Sequence, residues 1–153
     1  MRGMIETRFA WLRRALLVVT DLGFAAYWVL TLGHLLPPAW LFRDYADTTM
    51  GAWNFSFLPL DMVVSISGLA SVALAKTCAG ASRILLLVSL VTTSVSGLQA
   101  LSFWTLRHDF DLGWWAPNLF VLVWPLPFLA TMAWRAPADY LVQSGDLGRS
   151  AST

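Results

Sequence analysis

The chain has 153 residues, of which 58% are hydrophobic and only 12% are charged, and this is too apolar for a soluble domain of ordinary composition. Its mean hydropathy is +0.63. A net charge of +1 gives no case for binding nucleic acid. The composition therefore predicts an integral membrane protein, with the lipid bilayer as its solvent. Nine arginines against one lysine favour a bacterial source, so that we expect it in the plasma (inner) membrane.

Four apolar stretches follow one another along the chain, at about 15–36, 57–75, 84–106 and 115–134. Each approaches or exceeds the roughly 20 residues that a helix needs to cross a hydrocarbon core about 30 Å thick. We expect an all-α, four-helix transmembrane domain over 1–135, packed as an antiparallel bundle. The polar segment 136–153 lacks apolar periodicity, and we expect it to be a disordered cytoplasmic tail.

The first apolar stretch follows the basic segment MRGMIETRFAWLRR, so a cleaved secretory signal is an alternative interpretation. The stretch is longer than the apolar region of a usual signal peptide, contains Asp21, and lacks a small-residue cleavage site. We expect it to remain as the first helix.

Basic residues separate the two sides of the predicted bundle. Alternating the loops between the two sides places most of them on one side: Arg2, Arg8, Arg13, Arg14, Lys76, Arg83, Arg135 and Arg149. Only Arg43 and Arg107 fall on the other side. The positive-inside rule then makes the first side cytoplasmic, together with both termini.

Tryptophans fit the same frame, because amphipathic indole rings favour the headgroup level of a bilayer. The outer helix ends carry Trp40, Trp53, Trp104, Trp114 and Trp115. Trp28 and Trp124 instead fall near the middle of the membrane, where an indole N–H needs an acceptor. Trp28 either fills bundle volume and bonds a neighbour, or forms a platform for a ligand.

Small residues recur at four-residue spacing on the second and third helices, and they allow the two backbones to approach closely. The two sets are Ser67, Ser71 and Ala75, and Ser89, Thr93 and Gly97. The short connection KTCAGASR makes these helices an antiparallel hairpin. The same faces could also bind another membrane protein or a second copy of the chain.

The fourth helix contains WPLPF, in which Pro125 and Pro127 each lack a backbone donor. The carbonyls of Val121 and Val123 lose their usual helical partners, and we expect a kink. The kink either only shapes the bundle or exposes carbonyls to a polar pocket.

Polar side chains collect in the outer half of the predicted bundle, where they form a candidate outward-facing cavity. The candidate ligand-binding residues are Asp61, Gln99, Asn118, His34 and Asn54, together with Trp28 and the deeper Asp21. Helical spacing puts Asp61, Ser65, Gly68 and Val72 on one stripe that should face another helix. A carboxylate that faced lipid would cost several kcal/mol, on the order expected for charged groups in a bilayer.

Each carboxylate has alternative interpretations. Pro59 suits the first helical position, so Asp61 falls in the first turn and could cap the helix N-terminus, join a polar cluster, or bind a ligand or proton. Asp21 lies inside its helix and could form a salt bridge with Arg14 or take part in function.

Two stretches resemble a known family: FRDYADTTMGAWNFSFLPLD at 42–61 and SGLQALSFWTLRHDFDLGWWAPNLF at 96–120. Their sequences are similar to those of the YvaD-like small bacterial membrane proteins, an uncharacterised family, and the resemblance covers roughly residues 20–130. The resemblance implies a four-helix membrane protein, and it brings no activity or catalytic residue.

Familiar enzyme motifs are missing from the sequence, including phosphate-binding glycine loops, G-x-S-x-G and H-E-x-x-H. The single cysteine, Cys78, excludes an internal disulfide. The segment RHDFD at 107–111 could supply metal ligands from His108, Asp109 and Asp111. Its polar residues are equally well explained as solvated loop charges, with Asp111 capping the fourth helix. His34 and His108 are the available axial ligands for a haem. We expect neither a metal nor a cofactor.

Three classes of function remain. The first is a non-enzymatic protein that binds a small molecule, ion or lipid, or a small transporter subunit. The second is a structural or accessory partner of another membrane protein. The third is a membrane-embedded isomerase or hydrolase that uses Asp61 or Asp21 as an acid or base.

Overall fold

The structure, a computed structural model, describes residues 2–37, 40 and 44–134, with side chains from residue 8 onward. The predicted polar tail at 136–153 lies outside these residues. In chain order the helices are α1 (Arg2–Leu32), α2 (Thr48–Phe55), α3 (Leu58–Leu74), α4 (Ala79–Leu106) and α5 (Leu112–Val123), with a further helical segment, α6, over 126–134.

Four helical spans are long and apolar enough to cross a membrane: Arg8–Leu32, Thr48–Leu74, Ala79–Leu106 and Leu112–Trp134. The second span joins α2 to α3, and the fourth joins α5 to α6. The prediction of an all-helical chain with four such spans is confirmed.

The helix bounds differ from those predicted by apolarity alone. α1 begins well before residue 15, since a helix that carries charged side chains can extend beyond the apolar core of a membrane. α2 begins at Asp47, whose Oδ1 accepts hydrogen bonds from the backbone N–H groups of Thr49, at 2.7 Å, and Met50, at 3.4 Å. This side-chain cap starts a helix in a segment that hydropathy assigned to a loop.

Hydrogen bonds between neighbouring helices show that the bundle is antiparallel, because the residue numbers rise along one helix as they fall along its partner. Ser65 Oγ donates to the backbone oxygen of Asp21 at 3.0 Å, joining α3 to α1. Ser82 Oγ donates to the backbone oxygen of Ser71 at 2.7 Å, joining α4 to α3. α3 and α4 form the expected hairpin, and most of their small residues are buried in it.

α5 packs closely on α4 at Gly97. A Cβ atom at this position would lie 2.6 Å from both the backbone oxygen of Asn118 and the backbone nitrogen of Leu122. Ser94 Oγ also donates to the backbone oxygen of Leu122 at 3.1 Å. The fourth span is interrupted at Trp124 and Pro125, as the two prolines predict, and α4 supplies a donor beside the interruption.

One end of the bundle is closed by a hydrophobic cluster of Leu17, Leu90, Trp124 and Phe128. Phe9 of α1 adds to it, with its ring centroid 4.6 Å from that of Phe128 in α6. The interruption in the fourth span thus precedes a segment that packs against α1. At the opposite end, α1 and α5 form the sides of a pocket.

Candidate ligand pocket

The pocket has a volume of about 280 Å³ and receives side chains from α1 to α5. The residues that line it are Phe24, Tyr27, Trp28, Trp53, Asn54, Phe57, Asp61, Ser96, Ala100, Trp104, Gly113, Trp114, Pro117, Asn118 and Val121. It brings together four of the predicted ligand residues: Trp28, Asn54, Asp61 and Asn118. Its size and mainly apolar walls are typical of a site for a small molecule.

Asp61 forms the most polar part of the pocket wall. Its Oδ2 accepts a hydrogen bond from Trp28 Nε1 at 2.9 Å, and its Oδ1 accepts one from Ser96 Oγ at 3.1 Å. The side chain is only 4% exposed. Three helices, α1, α3 and α4, therefore meet at one carboxylate, and the two donors stabilise charge on it.

Asp61 lies in the first turn of α3, as predicted, but its side chain does not make the predicted capping hydrogen bond. α3 begins with Phe57 as its N-cap, which makes no side-chain cap hydrogen bond, and Pro59 occupies its second position. The carboxylate of Asp61 is directed at α1 and α4 instead. The predicted stripe through Asp61, Ser65 and Gly68 is confirmed as a buried face that meets α1.

Asn54 contributes the site's unused hydrogen-bond donor. Its Oδ1 accepts from the hydroxyl of Tyr27 at 2.7 Å. Its Nδ2 is buried and has no hydrogen-bond partner among the residues that the structure describes. The residue is 8% exposed. A buried amide without a partner costs free energy, so this donor is one of the few polar groups of the lining whose hydrogen bonding is incomplete.

Aromatic side chains form much of the remaining wall. Trp53 and Trp104 meet edge to face, with ring centroids 5.5 Å apart and an interplanar angle of 80°. Trp114 stacks near Trp104, with centroids 6.2 Å apart. Trp104 is only 2% exposed. Assigning these tryptophans to the membrane interface missed their inward direction. For Trp104 that direction could have been predicted, because Trp104 continues the helical stripe of Ser89, Thr93 and Gly97.

Three of the predicted ligand residues lie outside the pocket: Gln99, His34 and Asp21. Gln99 is on an exposed face of α4, beside Leu98 and away from Ser96 and Ala100. His34 is exposed in the turn after α1, with a φ of 50°. The prediction considered only their position along the membrane normal, which determines neither the direction of a side chain about the helix axis nor the residue at which α1 ends.

Asp21 occupies a separate buried position between α1, α3 and α4. It is 0% exposed, and neither of its carboxyl oxygens has a hydrogen-bond partner among the described residues. It packs directly against Gly68, where an added Cβ would also lie 2.8 Å from Ser89 Oγ. The alternative of a salt bridge with Arg14 is therefore wrong in this structure.

The histidine and acidic cluster near residue 108 forms the turn before α5. Asp111 caps α5, since its Oδ1 accepts from the backbone nitrogen of Gly113 at 2.9 Å. Arg107 pairs with Asp44 at 3.2 Å. Among the described residues, no group of three histidine, cysteine or acidic side chains is arranged to hold a metal ion.

The fold and the pocket define a class: an all-helical protein with four spans of membrane-crossing length and an aromatic pocket that contains one carboxylate. Residues 13–138 match the family of unknown function DUF5360, and the chain belongs to this family. It is 46% identical over 112 residues to the uncharacterized protein YvaD of Bacillus subtilis (strain 168), covering 73% of this chain and 84% of the relative. No solved structure matches significantly.

Proposed function

We propose that this chain is a multi-pass membrane protein that binds a small molecule in the pocket between α1 and α5, as a binding protein or as the binding part of a small transporter. The observation that carries the proposal is a largely aromatic cavity of about 280 Å³ whose lining includes the carboxylate of Asp61 and the residue Asn54, of which Nδ2 has no partner among the described residues. A cavity with apolar walls and a few convergent polar groups is the usual form of a small-molecule site.

Membrane insertion is supported by the outer surface of the bundle. Fewer than half of the residues in the most apolar part of each span are buried inside the protein. Large apolar side chains point outward along α1, α3, α4 and α5, including Val19, Val29, Ile66, Ile84, Val95 and Leu119. An outer surface with this many exposed apolar side chains is stable against lipid and would drive aggregation in water.

The distribution of charge supports a cytoplasmic position for the end that carries Phe9 and Phe128. The described basic residues at that end are Arg8, Arg13, Arg14, Lys76 and Arg83, whereas Arg107 lies at the other end. The positive-inside rule then directs the pocket toward the outer half of the membrane. The ligand would enter from the outer side or from the outer leaflet.

Binding is favoured over catalysis by the chemistry of the pocket wall. Among the lining residues in the described part of the chain, Asp61 alone is charged. Trp28 and Ser96 donate to it, and neither is a base that could complete a proton relay with the carboxylate. Asp21 lies outside the pocket lining.

The proposal is tested by filling the pocket. The full chain, purified into nanodiscs, is examined by native mass spectrometry with benzyl alcohol, choline and benzoate as uncharged, cationic and anionic probes. Ala100→Leu adds bulk to a buried wall residue, while Ala73→Leu adds the same atoms at an exposed position on α3. We expect at least one probe to bind the wild type and Ala73→Leu, and to be lost from Ala100→Leu.

Absence of binding by all three probes, or equal binding by both variants, would overturn the proposed function. Circular dichroism and size-exclusion chromatography of each variant serve as folding controls. A probe that binds Ala100→Leu as tightly as the wild type occupies a site elsewhere on the protein or in its lipid annulus.

A second candidate, a structural partner of another membrane protein or of a second copy, is favoured by Gln99. This amide is exposed on α4 among apolar side chains such as Val95 and Leu98. A polar side chain that faces lipid gains free energy by hydrogen bonding across a helix interface. Gln99→Leu should weaken any association that light scattering detects, and an unchanged oligomeric state would remove this candidate's support.

A further inference from the structure

The negative charge of Asp61 and the aromatic lining of the pocket together indicate which chemical class of ligand would fit. Asp61 is the one charged residue among the lining residues that the structure describes, and it is negative. Its oxygens accept from two neutral donors, Trp28 Nε1 and Ser96 Oγ. A buried carboxylate is best stabilised by an opposite charge, and the described lining supplies no lysine, arginine or histidine for that purpose.

The aromatic rings add a second attraction for positive charge. The face of an indole ring is electronegative and attracts a cation held over it, most strongly where water is excluded. Because Trp53 and Trp104 stand at 80° to each other, they present differently directed surfaces around one cavity. Trp28 is buried and hydrogen-bonded to Asp61, so its ring is fixed in the same wall.

Asn54 specifies a further chemical feature. Its buried Nδ2 donor has no partner among the described residues, and it would be satisfied by an oxygen acceptor on the ligand. A metal cation would find one carboxylate and mostly aromatic carbon, a donor set unlike the oxygen-rich sites of calcium and magnesium. The volume of about 280 Å³ limits the ligand to a small one.

We propose that the pocket binds a small organic ammonium ion that carries an oxygen acceptor, with the cationic group among the tryptophans near Asp61 and the oxygen at Asn54. This proposal rests on the proposed function and narrows it to a ligand class. The cation would balance the negative charge of the Asp61 carboxylate, and the oxygen would accept a hydrogen bond from the Asn54 amide.

Choline and 3,3-dimethylbutan-1-ol provide a matched pair of probes, since a neutral carbon replaces the ammonium nitrogen in the second. Their affinities are measured by isothermal titration calorimetry on the full chain in nanodiscs. We expect choline to bind the wild type at least about tenfold more tightly than the alcohol, because the desolvated cation gains from the rings and the carboxylate. Equal affinity, or tighter binding of the alcohol, would overturn the proposal.

Variants locate the source of any preference. Asp61→Asn keeps the shape of the side chain and should lower choline affinity about tenfold while changing alcohol affinity little. Asp47→Asn is the control, because it removes the same charge at a residue that does not line the pocket. Asparagine can still cap α2, so neither affinity should change. Should Asp61→Asn fail to fold, the wild-type preference and its reduction in Trp104→Leu decide the question.

The two proposals fail in different ways. Benzyl alcohol or 3,3-dimethylbutan-1-ol binding that depends on Ala100, without a preference for choline, would overturn the ammonium proposal and leave the proposed function standing. If none of the probes binds, both proposals are overturned. A choline preference that survives unchanged in Asp61→Asn and in Trp104→Leu would also overturn the ammonium proposal, since neither the charge nor the ring would be its cause.

Discussion

Trp28 of α1 donates a hydrogen bond from Nε1 to Oδ2 of Asp61 in α3, with 2.9 Å between the two atoms. The donor and the acceptor are separated by 33 positions in the chain. Both side chains are buried, and both line the pocket. One contact therefore fixes the position of α1 against α3 and orients the carboxylate that defines the candidate site.

Removing the indole donor tests this contact. Trp28→Phe keeps an aromatic ring but leaves Oδ2 of Asp61 without its donor, and we expect a loss of stability of about 1–3 kcal/mol, the usual cost for a buried hydrogen bond to a charged group. Thermal unfolding in detergent, followed by circular dichroism, measures the change. Trp11→Phe, at a residue that is 71% exposed, is the control and should have little effect.

A double-mutant cycle with Asp61→Ala, which removes both acceptor oxygens, separates this bond from the loss of ring volume. If the two residues interact as the structure has them, the effects of the single variants will not add. Additive effects would contradict direct coupling between Trp28 and Asp61.

The close approach at Gly68 makes a second prediction. A Cβ on Gly68 would collide with the carboxyl group of Asp21, so Gly68→Ala should lower stability by about 1–3 kcal/mol, typical of overpacking. Gly23→Ala is the matched control, because a Cβ there meets nothing within 4 Å. Unfolding midpoints of the two variants provide the comparison.

Asp21→Ala should rescue Gly68→Ala at least in part, because it removes the group that the new methyl meets. Equal damage by Gly68→Ala in the presence and absence of the Asp21 carboxyl would show that another contact is responsible.

Gly97 controls the approach of α5 to α4. Gly97→Ala should lower stability by about 1–3 kcal/mol or more, because the added Cβ meets backbone atoms of Asn118 and Leu122, which cannot rotate away as a side chain can. Gly80→Ala on the same helix has open space and should be tolerated. Comparable unfolding midpoints for the two variants would argue against this helix packing.

Cysteine labelling tests the proposed orientation. Cys78 is exposed in the connection between α3 and α4, at the basic end of the bundle. A membrane-impermeant maleimide should leave it unlabelled in intact spheroplasts and label it after permeabilisation. In a Cys78→Ser background, Leu112→Cys should show the opposite pattern, since Leu112 is 79% exposed at the other end. The reverse labelling pattern for both cysteines would show that the protein has the opposite orientation in the membrane.

Sequence patterns predicted the helical spans better than the direction of each polar side chain. Four apolar runs of sufficient length are enough to predict the spans, because the bilayer imposes one strong requirement on length and polarity. The stripe through Asp61 and Gly68 was also predictable from helical periodicity. Gln99 was misdirected because a depth estimate contains no rotation about the helix axis.

The contacts that complete the site depend on the packing of distant segments. Asn54 reaches the pocket because Asp47 starts α2, a short helix that hydropathy does not reveal. Trp104 was assigned to the membrane interface because it lies near a helix end, where both an interfacial and an inward direction are common. Its inward direction continues the buried face of α4 that the predicted stripe of Ser89, Thr93 and Gly97 already marked.

The central claim, that a small molecule occupies the pocket and satisfies Asn54, is tested most directly by NMR of protein labelled with ¹⁵N-asparagine in nanodiscs. The sequence contains two asparagines, so the side-chain spectrum holds two NH₂ groups. Asn118 already donates to the backbone oxygen of Trp114 at 2.7 Å, whereas Nδ2 of Asn54 has no partner among the described residues. An Asn118→Ser variant assigns the signals.

On addition of choline, we expect the Asn54 NH₂ resonances to move downfield and saturate in the wild type and in Ala73→Leu, and to stay fixed in Ala100→Leu. Resonances of Asn54 that stay fixed in the wild type at saturating choline, benzyl alcohol and benzoate would contradict the account.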